Sequence, residues 1–470
     1  MSAAQRAPRL RFAPTPSGHL TVSAARVAVA NALFAARHGG SVLLRLDDLD
    51  PARSKPAFAE AIVQDLAWLG LRFAETIHQS DRATIYAEAI ARLQAAGRLY
   101  PCFESPEELR FKQELRQKRG QPTVYDRAML KLTPAQRATA ESKGKRPYWR
   151  FLLSDRELRW DDAVVGPLAA KLPAISDPVV VTADGAVLPL FAAVVDDAAC
   201  GITHVIRGPQ AATETGIQLD LFDALGAPRP ALAHLPPLAD DRPTPMGRKA
   251  GTLTVRSLRA DGVSPLALAA CLAGSPDASV AAATAAGAAA AVGAGSTTAI
   301  GAGAEPAWLP ALAAGFTLPR GAAARPLDSA RLLRLNRALL AEAPFAEVAD
   351  RLPAGATEAF WLALRGEVDL LSEARGWWDV VAGTIVPPVI EGAQSLLQAA
   401  LATLPPEPWD RLVFATWLAA LEAATGRDAD ALVPLLRLAL TGEETGPDLG
   451  ALLPLMGRAR AALRLQVAAS

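Results

Sequence analysis

The stretch from Arg9 to Gly18 has the residue types of a ligand-binding turn. Residues 9 to 13 read as a short strand, Pro14-Thr-Pro-Ser-Gly18 as a turn, and a helical pattern runs from about Val22 to His38. Beyond the carboxyl ends of parallel strands is where such sheets hold ligands. The N-terminus of a following helix offers backbone N–H groups to an anion. Chemistry is therefore expected at Ala13 to Gly18. A second stretch is rich in cations. Lys112, Arg116, Lys118, Arg119, Arg127, Lys131, Arg137, Lys143, Lys145 and Arg146 lie between Arg110 and Arg150, interleaved with Tyr125, Tyr148 and Trp149. Forty-eight basic and forty-eight acidic residues leave the chain formally neutral, but phosphates respond to local patches. The same pattern also suits a solvated helical face. The three cysteines, Cys102, Cys200 and Cys271, are odd in number and far apart, with no Cys-x-x-Cys. This argues against a disulfide framework or a cysteine zinc site, and they read as small buried apolar residues.

These residues need elements to hold them. Gly39-Gly40 stops the first helix, and Ser41 to Leu46 reads as a second strand. Strand, turn, helix, strand predicts a parallel α/β sheet. The pattern from about Leu99 to Gly185 is mixed, as in an inserted subdomain, and a strand near Phe191 to Asp196 is expected to resume the sheet. Residues 275–305 are rich in Ala, Gly, Ser and Thr. They bury too little to offset ordering entropy and read as a flexible loop, with Ala runs able to form a marginal helix. From about Leu327 onward helical periodicity dominates. At 470 residues the chain should hold two or more domains. No apolar stretch has the length of a membrane helix, since Ala281 to Ala291 is too short, and the N-terminus lacks an apolar signal core. A bacterial-type cytoplasmic protein with no membrane partner is expected.

Several motifs occur in a recognisable order. Arg11-Phe-Ala-Pro-Thr-Pro-Ser-Gly18 resembles Arg-Phe-Ala-Pro-Ser-Pro-Thr-Gly, the opening signature of glutamyl-tRNA synthetases. Arg45-Leu-Asp-Asp-Leu-Asp-Pro-Ala-Arg-Ser54 resembles that family's Arg-Ile-Glu-Asp-Thr-Asp-x-x-Arg-Ser. Trp68-Leu-Gly-Leu, Gln79-Ser80 with Arg82 and Tyr86, Ser105-Pro-Glu-Glu-Leu109 and Tyr125-Asp126 continue the match. So do Asp196-Asp-Ala-Ala-Cys-Gly-Ile-Thr-His-Val-Ile-Arg-Gly208, His234-Leu-Pro, and Pro434 to Gly442 with Gly446-Pro447 and Gly457-Arg458. In order over more than 400 residues the matches are specific. The resemblance implies an α/β Rossmann-type class I catalytic domain with an inserted acceptor-binding subdomain, followed by an all-α anticodon-binding domain. The implied boundaries are 8–98 and 186–320 for the catalytic domain, 99–185 for the insertion and 327–470 for the helical domain. The implied reaction joins glutamate to tRNA through a glutamyl-adenylate, with ATP and Mg as the substrate complex and no zinc. The implied partners are L-glutamate and a tRNA of the glutamate type or a related one, acting on a monomer.

By the same resemblance, Arg11, Ala13, Thr15, Asp47 and Arg207 fall where glutamate is bound. Thr21, Val22, Ser23 and Ala24 fall at the first ATP motif, His-Ile-Gly-His or His-Val-Gly-Gly in relatives. Met246, Gly247, Arg248 and Lys249 fall at the second, Lys-Leu-Ser-Lys-Arg, whose first lysine is Pro245 here. Both ATP motifs are thus degenerate. Thr21 replaces an imidazole that would donate to phosphates, and a hydroxyl carries no charge. Ser23 replaces a glycine that lets adenine approach the backbone. His19 is expected to point elsewhere. Pro189 replaces a tyrosine, Pro209-Gln-Ala211 replaces Glu-Asp-His, and Glu104 replaces a cysteine of a zinc site found in some relatives. Three readings follow: an active ligase with an altered ATP site, a weak or inactive paralogue that binds tRNA or regulates, and a ligase acting on something other than a tRNA 3′ end.

Overall fold

The computed structural model describes residues 7–238, 253–285, 306–321, 323–324 and 326–470. The opening folds as its pattern predicts. Strand β1 (Arg9–Phe12) leads through the turn into helix α1 (Val22–Arg37), then β2 (Ser41–Leu46), α2 (Pro56–Trp68) and β3 (Thr76–His78). Both strands are buried almost throughout, as a sheet covered on both sides requires, with Leu10 and Phe12 on one face of β1 and Arg9 and Arg11 on the other. Helix α3 (Ala83–Ala95) follows. The insertion holds β4 (Leu99–Cys102), α4 (Pro106–Lys118), α5 (Pro134–Ser142), β5 (Tyr148–Phe151), the hairpin β6 (Glu157–Asp162) and β7 (Gly166–Lys171), and β8 (Val179–Val181). Helices α4 and α5 bury no residue and begin in capping boxes at Ser105 and Thr133. With no apolar stripe to hold them, these local bonds matter more than usual.

The chain then returns through α6 (Pro189–Ala199), β9 (His204–Arg207), α7 (Ala212–Ala224) and β10 (Ala231–His234). The strand expected near Phe191 to Asp196 is helix α6 instead. Its apolar run is too short for periodicity to separate strand from helix. Pro189 at the first turn suits a helix, because its missing N–H needs no partner there. The strand that resumes the sheet is β9.

Strands β1, β2 and β3 are parallel, with Arg11 opposite Leu43. Strands β9 and β10 are parallel, with Arg207 opposite His234, and β6 joins beyond β10. The two groups meet where the Thr203 N–H donates to the Arg9 carbonyl at 2.9 Å and the Arg9 N–H to Thr203 Oγ1 at 2.8 Å. Strand order therefore reverses between β1 and β9. That reversal opens a crevice at the carboxyl ends of these strands. The small antiparallel sheet β4–β5–β8 stands apart.

Beyond β10 come α8 (Val255–Asp261), α9 (Pro265–Ala273), α10 (Asp277–Ala285) and α11 (Trp308–Gly315). The first third of the Ala-rich stretch is thus helical as α10, and residues 286–305 lie outside the described residues. The chain divides into two compact units. Among the described residues, the first takes 7–238, 253–255, 272–280, 306–321, 323–324 and 326–327, and the second takes 256–271, 281–285 and 328–470. The second is helical, as its periodicity predicts. Trp361 and Trp417 are fully buried in its core, each with its indole N–H donating to a carbonyl, Ala343 at 2.8 Å and Ala400 at 3.0 Å. Among the described residues no helix is long and apolar enough to cross a membrane.

Candidate functional site

Two adjacent aspartates on α6, both buried, organise the floor of the crevice. Asp196 accepts from Arg82 Nε at 2.6 Å, Gln79 Nε2 at 2.8 Å and the Tyr86 hydroxyl at 2.9 Å. Asp197 accepts from Arg45 Nη1 at 2.7 Å and from Arg11 Nε at 3.2 Å. Arg45, only 1% exposed, also donates from Nε to Asp47 Oδ1 at 2.7 Å. Burial opposes charge on Arg45, yet Asp47 and Asp197 outweigh it and lift its pKa above the ordinary range. Burial pushes the Asp47 carboxyl up despite the pull of Arg45. A buried charge is tolerable only when paired and hydrogen-bonded, and Arg11, Arg45, Asp196 and Asp197 each have a partner from another part of the chain.

Arg207, at the end of β9, is built differently. Its Nε donates to His234 Nε2 at 2.9 Å and its Nη2 to Thr215 Oγ1 at 3.2 Å. Burial, with the Arg11 charge nearby, brings its pKa down to about 10. Arg11, Arg207, Thr215, Gln218 and Asp197 line one small pocket, closed by Val194, Leu219 and Phe222 among others. The turn before α1 is pinned from the side. The Pro14 carbonyl accepts from the Asp47 N–H and the Pro16 carbonyl from the Lys55 N–H, both at 3.0 Å. Ala13 is half-buried there and Thr15 exposed. Of the expected glutamate-site residues, Arg11 and Arg207 share this pocket, and Asp47 sits beside Arg45 at the end of β2.

The first ATP motif lies at the start of α1. Thr21 is the N-cap, and its Oγ1 accepts from the Ala24 N–H at 3.2 Å. The Val22 N–H donates to the Leu253 carbonyl at 3.1 Å, and Thr21 bridges Thr254. Two of the first three amides of α1 are therefore taken by the chain itself. Ser23 is exposed at the second helical position. The His19 ring packs edge-on against Phe58 of α2, with centroids 5.4 Å apart. Met246, Gly247, Arg248 and Lys249 lie outside the described residues.

In the insertion, Glu104 accepts from Lys112 Nζ and from the Tyr125 hydroxyl, both at 2.5 Å, beside buried Cys102. The Lys112 side-chain ammonium group pairs with this carboxylate. Among the described residues no group of three or more His, Cys, Asp and Glu is placed to hold a metal ion. Arg127 is committed to Asp177 through two 2.8 Å bonds. Other cations of the run, Lys118, Arg119, Lys131, Lys143, Lys145 and Arg146, are exposed. Lys143 and Lys145 rim an open groove that also holds Phe111, which is 66% exposed.

Sequence reasoning gave no role to Asp162, Thr215 or the acceptor side of His234. His234-Leu-Pro marked the place, but the pairing of β10 with β6 is long-range, and no local signal joins residue 162 to 234. The motif Asp196-Asp197 is visible in the sequence, but its role as a pair of hubs is not.

Known proteins share this architecture. The family model described as tRNA synthetases class I (E and Q), catalytic domain, matches residues 8–277, and one described as an anticodon binding domain matches residues 389–469. Glutamate–tRNA ligase 2 of Granulibacter bethesdensis is 52% identical over 97% of this chain and 97% of its own. The protein of that name from Gluconacetobacter diazotrophicus is 48% identical over 98% of this chain and all of its own. The crystal structure of a glutamate tRNA ligase from Elizabethkingia meningosepticum in complex with its amino acid superposes with a TM-score of 0.77, covering 99% of each chain. At 21% identity that likeness is one of fold. The chain belongs to the glutamate–tRNA ligase family of class I tRNA synthetases.

Proposed function

We propose that this protein binds glutamate and tRNA, as its family membership implies, but activates glutamate with ATP very slowly or not at all. It then serves chiefly as a tRNA-binding paralogue. The observation that carries this reading is the cap of α1. In-line displacement on phosphorus depends on positioning and on stabilising phosphate charge. The side chain at position 21 lies against its own helix, accepting from Ala24. It offers at most one neutral donor where the family places an imidazole. The helix amides, the other source of phosphate stabilisation, are partly used by Thr21 and Leu253. Loss of one preorganised donor costs about 2.7–4 kcal/mol, roughly a hundred- to a thousandfold in rate.

Recognition, by contrast, keeps its materials. Arg11 and Arg207 line one pocket, and the insertion presents exposed lysines and arginines, with Lys143 and Lys145 in the groove that holds Phe111. ATP–pyrophosphate exchange with glutamate, magnesium and tRNA is the deciding assay. Exchange at the roughly 1–1,000 s⁻¹ usual for enzymes would defeat the proposal. The binding half is checked by titrating tRNA at rising salt. Affinity should fall steeply as counterions compete, and absence of binding at low salt would remove it. The retained arginines favour a second reading, an active ligase with an altered ATP site, which the same exchange assay decides.

A further inference from the structure

We propose that Asp162, His234 and Thr215 form a positioning frame that fixes the plane of Arg207 without neutralising it, leaving its charge for a ligand carboxylate. The inference rests on the reading that this pocket takes glutamate, and it concerns residues that do not touch the ligand.

A guanidinium only donates. Arg207 Nε lies 2.9 Å from His234 Nε2, so that nitrogen must carry the lone pair. The ring proton is then on Nδ1, which donates to Asp162 Oδ2 at 2.6 Å. Asp162 is itself held by backbone. Its Oδ1 accepts the N–H groups of Val164 and Val165 at 3.0 Å and of His234 at 3.2 Å. Thr215 completes the frame. Its hydroxyl accepts from Arg207 Nη2 at 3.2 Å and lies 3.5 Å from His234 Nε2. Three elements, the β6–β7 turn, α7 and β10, thus converge on one guanidinium.

The neighbouring arginines show what is unusual. Arg11 and Arg45 both reach the Asp197 carboxylate directly. Arg207 meets two neutral acceptors, and among the described residues no carboxylate lies within ion-pair distance of it. The charge of Asp162 is held off by an imidazole ring. A carboxylate at position 234 would grip Arg207 as firmly but would cancel its charge. Neutral acceptors hold the fork still and leave Nη1 and the unmet positive charge to the pocket, where Arg207 and Arg11 are both part of the wall. A cation with burial but no counter-ion is the arrangement that an arriving carboxylate completes.

The test uses the full chain, glutamate titrated by calorimetry, and ¹⁵N-histidine NMR. His234 should show the Nδ1–H tautomer, and Asp162→Asn should shift that signature toward Nε2–H and weaken glutamate about tenfold. His234→Gln, which can place a neutral acceptor near Nε2, should keep binding within about threefold. His234→Glu should weaken glutamate a hundredfold or more while losing no more melting temperature than His234→Gln, because its carboxylate cancels the charge of Arg207 and that pairing offsets its repulsion from Asp162. A purely structural role would not separate those two readouts. Glutamate binding by His234→Glu as tight as wild type, or an Nε2–H tautomer in wild type, would overturn the frame. Wild type that fails to bind glutamate would defeat the proposed function instead, and the tautomer measurements would still decide the frame.

Discussion

The floor at α6 and the cap of α1 lie at the same end of the sheet, yet they have been treated oppositely. At the floor every charge answers another from a distant part of the chain. Asp196 holds Gln79, Arg82 and Tyr86, and Asp197 holds Arg11 and Arg45. At the cap, Thr21 and Ser23 are exposed and the bonds are short-range ones or made to Leu253. A side chain at the floor serves both ligand and fold, so its replacement costs stability directly. A side chain at position 21 serves the fold only as an N-cap, which threonine does better than most residues. The family motif can therefore be lost at the cap at no cost in folding, and cannot be lost at the floor.

The contrast breaks first at Asp196. Asp196→Ala would strand the Arg82 guanidinium, the Tyr86 hydroxyl and the Gln79 amide, and should destabilise the protein by about 3–5 kcal/mol. Urea unfolding measures this, and a loss below about 1 kcal/mol would mean the floor is not what holds these elements. Next comes the cap. Thr21→His, Ser23→Gly and Pro245→Lys together should raise pyrophosphate exchange by roughly a hundred- to a thousandfold. No gain would assign the block to other replaced positions, Pro189 and Pro209 among them.

Acid sharpens the comparison at Asp162. Burial opposes its charge, but bonds from His234 and from the Val165, Val164 and His234 amides prevail and hold its pKa at about 2. A depressed carboxylate stabilises the fold above its unfolded pKa, about 3.9. That stabilisation, about 2 kcal/mol, is lost as pH falls through about 2. The stability gap between wild type and Asp162→Asn should therefore be full at neutral pH and shrink from about pH 4 to about pH 2. A gap unchanged across that window would show that the carboxylate's charge is not its cause. The smallest effect is at the cap itself. Thr21→Ala should cost about 1 kcal/mol for the lost N-cap bond, with no further fall in exchange. A further tenfold fall would give Thr21 a phosphate contact and weaken the proposed function.

Much of this was legible in residue order. The first strand, turn, helix and second strand follow from local patterns, with Gly39-Gly40 ending the helix where the pattern stops. The ordered motifs carried the family. The stretch after Leu188 is ambiguous in sequence, because a short apolar run fits either period, and its helical state is settled by Pro189 at the first turn and by two aspartates aimed at Arg11 of β1, Arg45 of β2 and Arg82 just before α3. Thr21 was legible as a loss. Its service as the cap of α1 was not read from the sequence.

The sequence by itself determined the architecture, the family, and the absence of the usual phosphate-binding side chains, since these are written in local periodicity and in residue types at fixed spacing. Only the tertiary structure decided which arginine is left with charge to offer. Arg11, Arg45 and Arg207 look alike in sequence. They differ because α6 brings Asp197 to two of them, while β10 and β6, 72 residues apart at His234 and Asp162, bring the third a neutral imidazole held by a distant carboxylate. Electrostatic character depends on what lies within a few ångströms, and strand pairing sets that across distances no local pattern reports.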